Sequence, residues 1–218
     1  MIQLIAFLGN YGREYENSRH NTAWLFEKSL PFSQKFSWQS KYKSDFCAVD
    51  YDVFASWLKE CALIKVHQDG TVAVPKDAPK KLYFIKPMTY MNLSGDAIGE
   101  VCQFFKIPAS DVLVVHDEIE LPLGTVSLKW SGGLGGHNGL RSTKAVLGTA
   151  DFWRLRFGVS KPTGGDIADY VLGSFTADEK IILSQVFPQT VQLFADILTS
   201  SDASRLIPAW GKKKLLAE

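Results

Sequence analysis

The chain has 218 residues, 46% hydrophobic and 22% charged, a length that suits one sizeable domain burying roughly 70% of its unfolded surface. That composition excludes long disorder, collagen-like repeats and low-complexity tails, and a formal net charge of +1 names no partner by itself. Cys47, Cys61 and Cys102 are odd in number and show no CxxC spacing, so neither a disulfide framework nor a structural zinc site is expected, and a reducing cytoplasm is the natural setting.

Ile2 to Leu8 is an apolar run with no basic segment before it; it is too short for a signal peptide and reads as a first strand ending at Gly9-Asn10. A helix from about Asn21 to Leu30 follows, then strand-like segments near 45–56, 61–67 and 82–86. Leu93, Ile98, Val101, Cys102 and Phe105 share one face of a helix over about 93–105, which stops before Pro108. Val112 to Val115 is a short strand of the buried type, and Thr125 to Trp130 alternates as a strand does. A glycine-rich turn at 132–136 feeds a helix at 138–147. Leu155 to Val159 is a further strand, and helices follow at about 165–172 and 177–199, with a short one near the C-terminus. Ile181 to Leu198 is broken by Ser184, Gln185, Pro188, Gln189 and Asp196, so no membrane span is expected. Strands alternating with helices predict a single α/β domain over residues 1–218 with helices on both faces of its sheet; no repeat or linker divides it, and 74–81 reads as a loop.

Charge is unevenly spread. Residues 108–124 carry Asp111, Asp117, Glu118 and Glu120 and no base, whereas 125–161 carry Lys129, Arg141, Lys144, Arg154, Arg156 and Lys161 against Asp151 alone. A basic face beside an acidic strand end follows, which a solvated surface explains equally well. Gly132 to Gly136 invites a dinucleotide-binding reading, but the third glycine of that fingerprint would fall at Asn138. These glycines let the backbone approach a ligand or another segment closely, or make a plain tight turn. There is no P-loop, HExxH or GxSxG motif.

The densest polar cluster is His116-Asp117-Glu118-Ile119-Glu120. On a strand His116, Glu118 and Glu120 point one way, while Asp117 shares the covered side of Val115. A carboxylate there needs a partner, and histidine suits it. Metal binding through His116 and Glu118, with Glu120, is the rival. Parallel α/β folds bind ligands beyond the carboxyl ends of their strands, so Asn10, His20 and Asp117 converge on one crevice as a candidate His–Asp dyad. Equally, Asn17 or Ser18 caps the next helix and His20 sits in its exposed first turn. Asn92 and Asn138 repeat the pattern of an amide at a strand-to-helix transition, where each serves equally well as a helix cap.

Together these segments resemble bacterial-type peptidyl-tRNA hydrolase. The resemblance runs through Leu8-Gly9-Asn10, Tyr15, Arg19-His20-Asn21, Lys86 to Gly95, His116-Asp117-Glu118, Leu121 to Gly124, Gly135 to Leu140, Arg154 to Gly158 and Tyr170 to Gly173, in the family's order. It implies a mixed, largely parallel twisted sheet and a monomeric, cytoplasmic enzyme without cofactor, metal or required protein partner. That enzyme would cleave the ester joining a peptide to the 3′-terminal ribose of tRNA, binding the acceptor stem and 3′ end. The residues matching the family's are His20 as general base on a water and Asp117 orienting it, with Asn10, Asn92 and Asn138 holding the peptide and the attacked carbonyl. Tyr15, Tyr90 and Met91 fall to substrate contact, and Lys129 and Arg156 to the tRNA 5′-phosphate. Tyr11 stands where the family has proline, which reshapes the turn. Leu134 replaces a polar loop residue, which removes a contact to the tRNA 3′ end. Residues 38–82 match poorly and are longer than the family's; Tyr51 to Ala55 with Cys61 to Val66 reads there as an extra surface hairpin. A scaffold that binds RNA without the reaction is the alternative.

Overall fold

The computed structural model describes residues 1–69, 71–162 and 164–216. β1 (Leu4–Phe7) is apolar and wholly buried, and two single helical turns, Arg13–Tyr15 and Arg19–Asn21, lead into α1 (Thr22–Ser29). β2 (Gln39–Lys41) and β3 (Ser44–Asp50) form a hairpin followed by α2 (Tyr51–Glu60). β4 (Lys81–Pro87), α3 (Ser94–Phe105), β5 (Val112–Glu118) and β6 (Thr125–Trp130) come next. They are followed by α4 (Asn138–Leu147), β7 (Trp153–Gly158), α5 (Ile167–Leu172), α6 (Ala177–Thr199), α7 (Ile207–Trp210) and β8 (Lys213–Lys214).

The strands form one sheet in the order β2-β3-β4-β1-β5-β7-β6-β8. Its centre, β4-β1-β5-β7, is parallel, and the joins outside that centre are antiparallel. Alternation along the strands splits the core in two. Ile5, Phe7, Leu113 and Val115 face α1, α2 and α6, while Leu4, Ala6, Val112 and Val114 face α3 and α4. Among the described helices α6 alone is long and apolar enough to cross a membrane, but 56% of its apolar window is buried. Phe187, Phe194 and Leu198 pack it onto the sheet as a core helix.

The strand expected near 45–56 ends at Asp50 as β3, and the one expected near 61–67 is not a strand. Residues 51–60 form α2, because Tyr51, Phe54, Ala55 and Leu58, at i, i+3, i+4 and i+7, are the positions that bury, a helical spacing. The expected hairpin with 61–66 is therefore absent. That stretch is loop touching 71–73 through one isolated bridge, Val66 to Val72. Nor is the segment only surface: Phe54 and Leu58 are fully buried against the sheet.

Candidate active site

The chain leaves β1 toward α1 on one face and its neighbour β4 toward α3 on the other, so a crevice opens between the carboxyl ends of β1 and β4, bordered also by that of β5. Asp117, near the end of β5, lies on the α1 side and is 1% exposed. His20 comes from the helical turn just before α1, and its Nδ1 sits 2.9 and 3.0 Å from the two Asp117 carboxylate oxygens. Arg19 anchors that turn. Its Nη1 donates to the carbonyls of Tyr170, Gly173 and Ser174, each at 3.2 Å, and its Nη2 pairs with Glu179 at 2.8 and 2.9 Å. Asn21 fixes Asn10 from the same turn, accepting the Asn10 amide N–H at 2.7 Å and donating to its carbonyl at 2.9 Å. The Asn10 side-chain oxygen in turn accepts the Met91 N–H at 2.8 Å.

A second histidine reaches the same carboxylate. His137 Nδ1 accepts the Gly139 and Leu140 N–H groups at 3.1 and 3.4 Å, capping α4, so the ring proton sits on Nε2 and donates to Asp117 Oδ1 at 3.0 Å. The cap can close this tightly because residue 139 is glycine; a Cβ there would lie 2.6 Å from Met91 Sδ. Asp117 thus takes ring N–H groups from two sides. Burial alone would raise its pKa, but His20 and His137 outweigh that and hold it well below the usual carboxylate range. Burial pulls His20 down, and the Asp117 charge and hydrogen bond pull it up further, leaving its pKa above the ordinary value. His116, wholly buried, is held well below its own ordinary value by that burial and by His137.

These groups line an open cleft of about 520 Å³. Asn10, Tyr15, His20, Tyr90, Met91, Asn92, Asp117 and Asn138 all border it, with Ile119, Ile167, Val171 and Leu172 as apolar wall. Neither Asn92 nor Asn138 caps a helix through its side chain: α4 is capped by His137, and neither α1 nor α3 carries a side-chain cap from its N-cap residue. Tyr11 packs with its ring tilted 32° against Tyr90, which borders the cleft, at 4.7 Å between ring centroids. Leu134 packs into the α3–α4 core, and its carbonyl accepts the His137 N–H.

Lys129 and Arg156 lie outside the cleft lining, on the neighbouring face of β6 and β7. Arg156 Nη1 is 3.4 Å from Glu118, which does border the cleft, and its Nη2 donates to Ser127 Oγ at 2.6 Å. Burial, then Arg156 and Arg154, pulls the Lys129 pKa below its ordinary value. Arg154 is buried beneath the glycine-rich loop and donates to the carbonyls of Gly132 and Gly133. In that loop Gly132, Gly135 and Gly136 all take positive φ, so conformational freedom is what these glycines supply.

The rival metal set is not assembled. His116 Nδ1 donates to the Asp117 carbonyl, Glu118 turns to Arg156 and Glu120 to Lys161. His20, Asp117 and His137 do bring their ligand atoms within 4.8 Å, but N–H···O hydrogen bonds already join them. Sequence reasoning missed His137, Asn21 and Arg19. All three lie beside residues it singled out, and only the fold shows what they touch.

A buried His–Asp pair opening onto a cleft at the carboxyl ends of parallel strands is an arrangement suited to proton-transfer chemistry in an α/β enzyme. The peptidyl-tRNA hydrolase family model matches residues 4–215. The peptidyl-tRNA hydrolase of Treponema pallidum is 41% identical over 99% of this chain and 98% of its own. That of Desulfitobacterium hafniense is 38% identical over 88% and 90%. The crystal structure of the Acinetobacter baumannii enzyme superposes with a TM-score of 0.75 over 96% of both chains at 24% identity, which speaks to the fold. The chain belongs to the peptidyl-tRNA hydrolase family.

Proposed function

We propose that this chain hydrolyses the ester between a peptide and the 3′-terminal ribose of tRNA, with water activated by His20 and no covalent intermediate. The observation that carries this mechanism is the His20–Asp117 pair: with Nδ1–H donated to a carboxylate held ionised, Nε2 is left at the cleft to accept a proton. As water oxygen attacks the ester carbonyl carbon, Nε2 takes its proton. Collapse of the tetrahedral intermediate breaks the bond to the ribose oxygen, which takes that proton back and leaves as tRNA with a free 3′ hydroxyl. The Asn10 oxygen is occupied by the Met91 N–H, so its Nδ2 is the end left to donate to the developing oxyanion. Asn92 and Asn138 hold the peptide alongside Tyr15, Tyr90 and Met91.

Lys129, Arg154 and Arg156 crowd one face, and the first two are each pulled below their ordinary pKa by burial and neighbouring cations. An anion relieves that repulsion, which supports a phosphate of the tRNA, its 5′ end, as the partner of Lys129 and Arg156. A cytoplasmic, monomeric enzyme belongs to the same proposal.

The test is release of deacylated tRNA from N-blocked aminoacyl-tRNA with EDTA present, wild type beside His20→Ala. Turnover by wild type and a loss of about 10²–10⁴-fold in the variant, with tRNA binding kept, is expected. Equal turnover by both removes the histidine mechanism; binding by both without turnover leaves the RNA-binding scaffold.

A further inference from the structure

His116 is wholly buried and takes no part in the proton transfer proposed above, yet it stands one residue before Asp117. Its setting follows from where two strands part. In a parallel pair the ladder bonds recur every second residue along each strand. Leu8 N–H donates to the Val115 carbonyl at 3.0 Å, so the next bond would run from Asn10 N–H to the Asp117 carbonyl. Asn10 N–H goes instead to Asn21 Oδ1 at 2.7 Å, and the Asp117 carbonyl accepts from His116 Nδ1. Two side chains thus take up the two halves of the bond that β1 and β5 give up at the border of the cleft. On its other edge β5 stays paired, with Val159 N–H donating to the Glu118 carbonyl at 3.1 Å.

Held neutral by burial and by His137, with Arg154 also disfavouring charge, the His116 ring carries one proton. A carbonyl only accepts, so that proton is on Nδ1 and Nε2 is bare. Nε2 is buried without a hydrogen-bond partner among the described residues. The ring lies T-shaped against His137, with 4.8 Å between centroids and 72° between planes. A phenyl ring would fill that place without burying an unpaired nitrogen, so packing alone does not account for a histidine; the bond from Nδ1 does. We propose that His116 is a positioning residue for the His20–Asp117 pair: its Nδ1–H stands in for β1 at the Asp117 carbonyl. Without that bond residue 117 loses the partner that fixes its ψ on this edge, and with it the direction in which Cβ carries the carboxylate toward His20. The role rests on the His20–Asp117 mechanism, and adds to it what keeps the carboxylate aimed where sheet pairing has stopped.

The test uses three variants. His116→Phe keeps the ring contact with His137 and removes the donor, His116→Asn returns an N–H at the place of Nδ1, and His116→Gln puts its amide at the place of Nε2. For each, kcat and KM are measured with N-blocked aminoacyl-tRNA, and the His20 pKa is read from the NMR of isotope-labelled histidine side chains. His116→Phe should lower kcat about ten- to a hundredfold with KM within about twofold. It should also bring the His20 pKa down toward about 6.5, as the carboxylate turns away. Asparagine should recover most of both, and glutamine neither. An unchanged kcat and His20 pKa in the phenylalanine variant, or equal recovery by glutamine and asparagine, overturns the role. The wild-type spectrum judges it without any variant: a His116 ring protonated at Nδ1 supports it, and one protonated at Nε2 overturns it. A wild type that cleaves no ester, with the His20 pKa moving across the variants as stated, would remove the hydrolytic function and leave the positioning role standing.

Discussion

His20 and His137 both donate to Asp117, and the behaviour of the His20–Asp117 pair follows from which atoms hold protons. His20 must be neutral to act, and its pKa is raised, so kcat/KM should fall with decreasing pH through an inflection above about 6.5. A profile flat from pH 5 to 8 with chemistry limiting would sink the general-base role. Asp117→Asn removes the pull on His20 and the tautomer control, so the inflection should move down and the rate drop about 10²–10⁴-fold. His137→Ala acts oppositely on the inflection, because Asp117 loses a competing donor and binds the His20 proton harder. It should also cost about 1 kcal/mol through the lost α4 cap, read from urea midpoints. The His20 contribution to stability is present below about pH 6.5 and fades as pH rises through its raised value. The Asp117 contribution is present above about pH 3.9 and is lost only in strong acid. The sequence offered the dyad as one of two even readings, from strand alternation that put Asp117 under cover; because β5 is buried on both sides, His116 included, alternation alone did not single Asp117 out, and the family resemblance pointed to His20. His137 was not legible, since nothing in a sequence says that a helix-capping imidazole turns its other nitrogen to a carboxylate.

At the scale of elements, the turn carrying His20 depends on a distant clamp. Arg19 spans from that turn to α5 and the start of α6, where Glu179 also closes the Thr176 capping box. Arg19→Ala should therefore lower stability by about 2–3 kcal/mol and reduce kcat through a displaced His20. Arg19→Lys keeps the charge without the fork, and full recovery by lysine would mean that the bidentate geometry is unimportant. Strands and helices with one clear period, β6, α4 and α6 among them, were readable from spacing alone. α2 was misread because the short apolar sequence Tyr51 to Ala55 fits either period, and only Leu58 at i+7 decides for a helix. Phe54→Ala should cost about 3–5 kcal/mol in chemical denaturation if α2 is part of the core; a loss below 1 kcal/mol would make it peripheral.

At the scale of the whole molecule, a near-neutral chain gathers Lys129, Arg154 and Arg156 on one face of β6 and β7. Lys129→Ala should raise KM for tRNA substrates and lower the salt slope by about one, with kcat little changed; an unaltered slope would undo the phosphate assignment. The sequence announced the excess of bases over 125–161, but not the two-residue strand β8, which is too short to leave any periodicity. The same sheet order sets the timing of assembly. β1, the first strand to be synthesised, lies at the centre, where Leu4 pairs with Tyr83 on one side and Val112 on the other. At about 5–20 residues per second, its partner in β5 leaves the ribosome on the order of 5–20 s later. One edge of this apolar strand stays open until β4 is made and the other until β5 follows, so the chain folds late, with high contact order, and the N-terminal half alone is the species that a nascent-chain chaperone would have to hold.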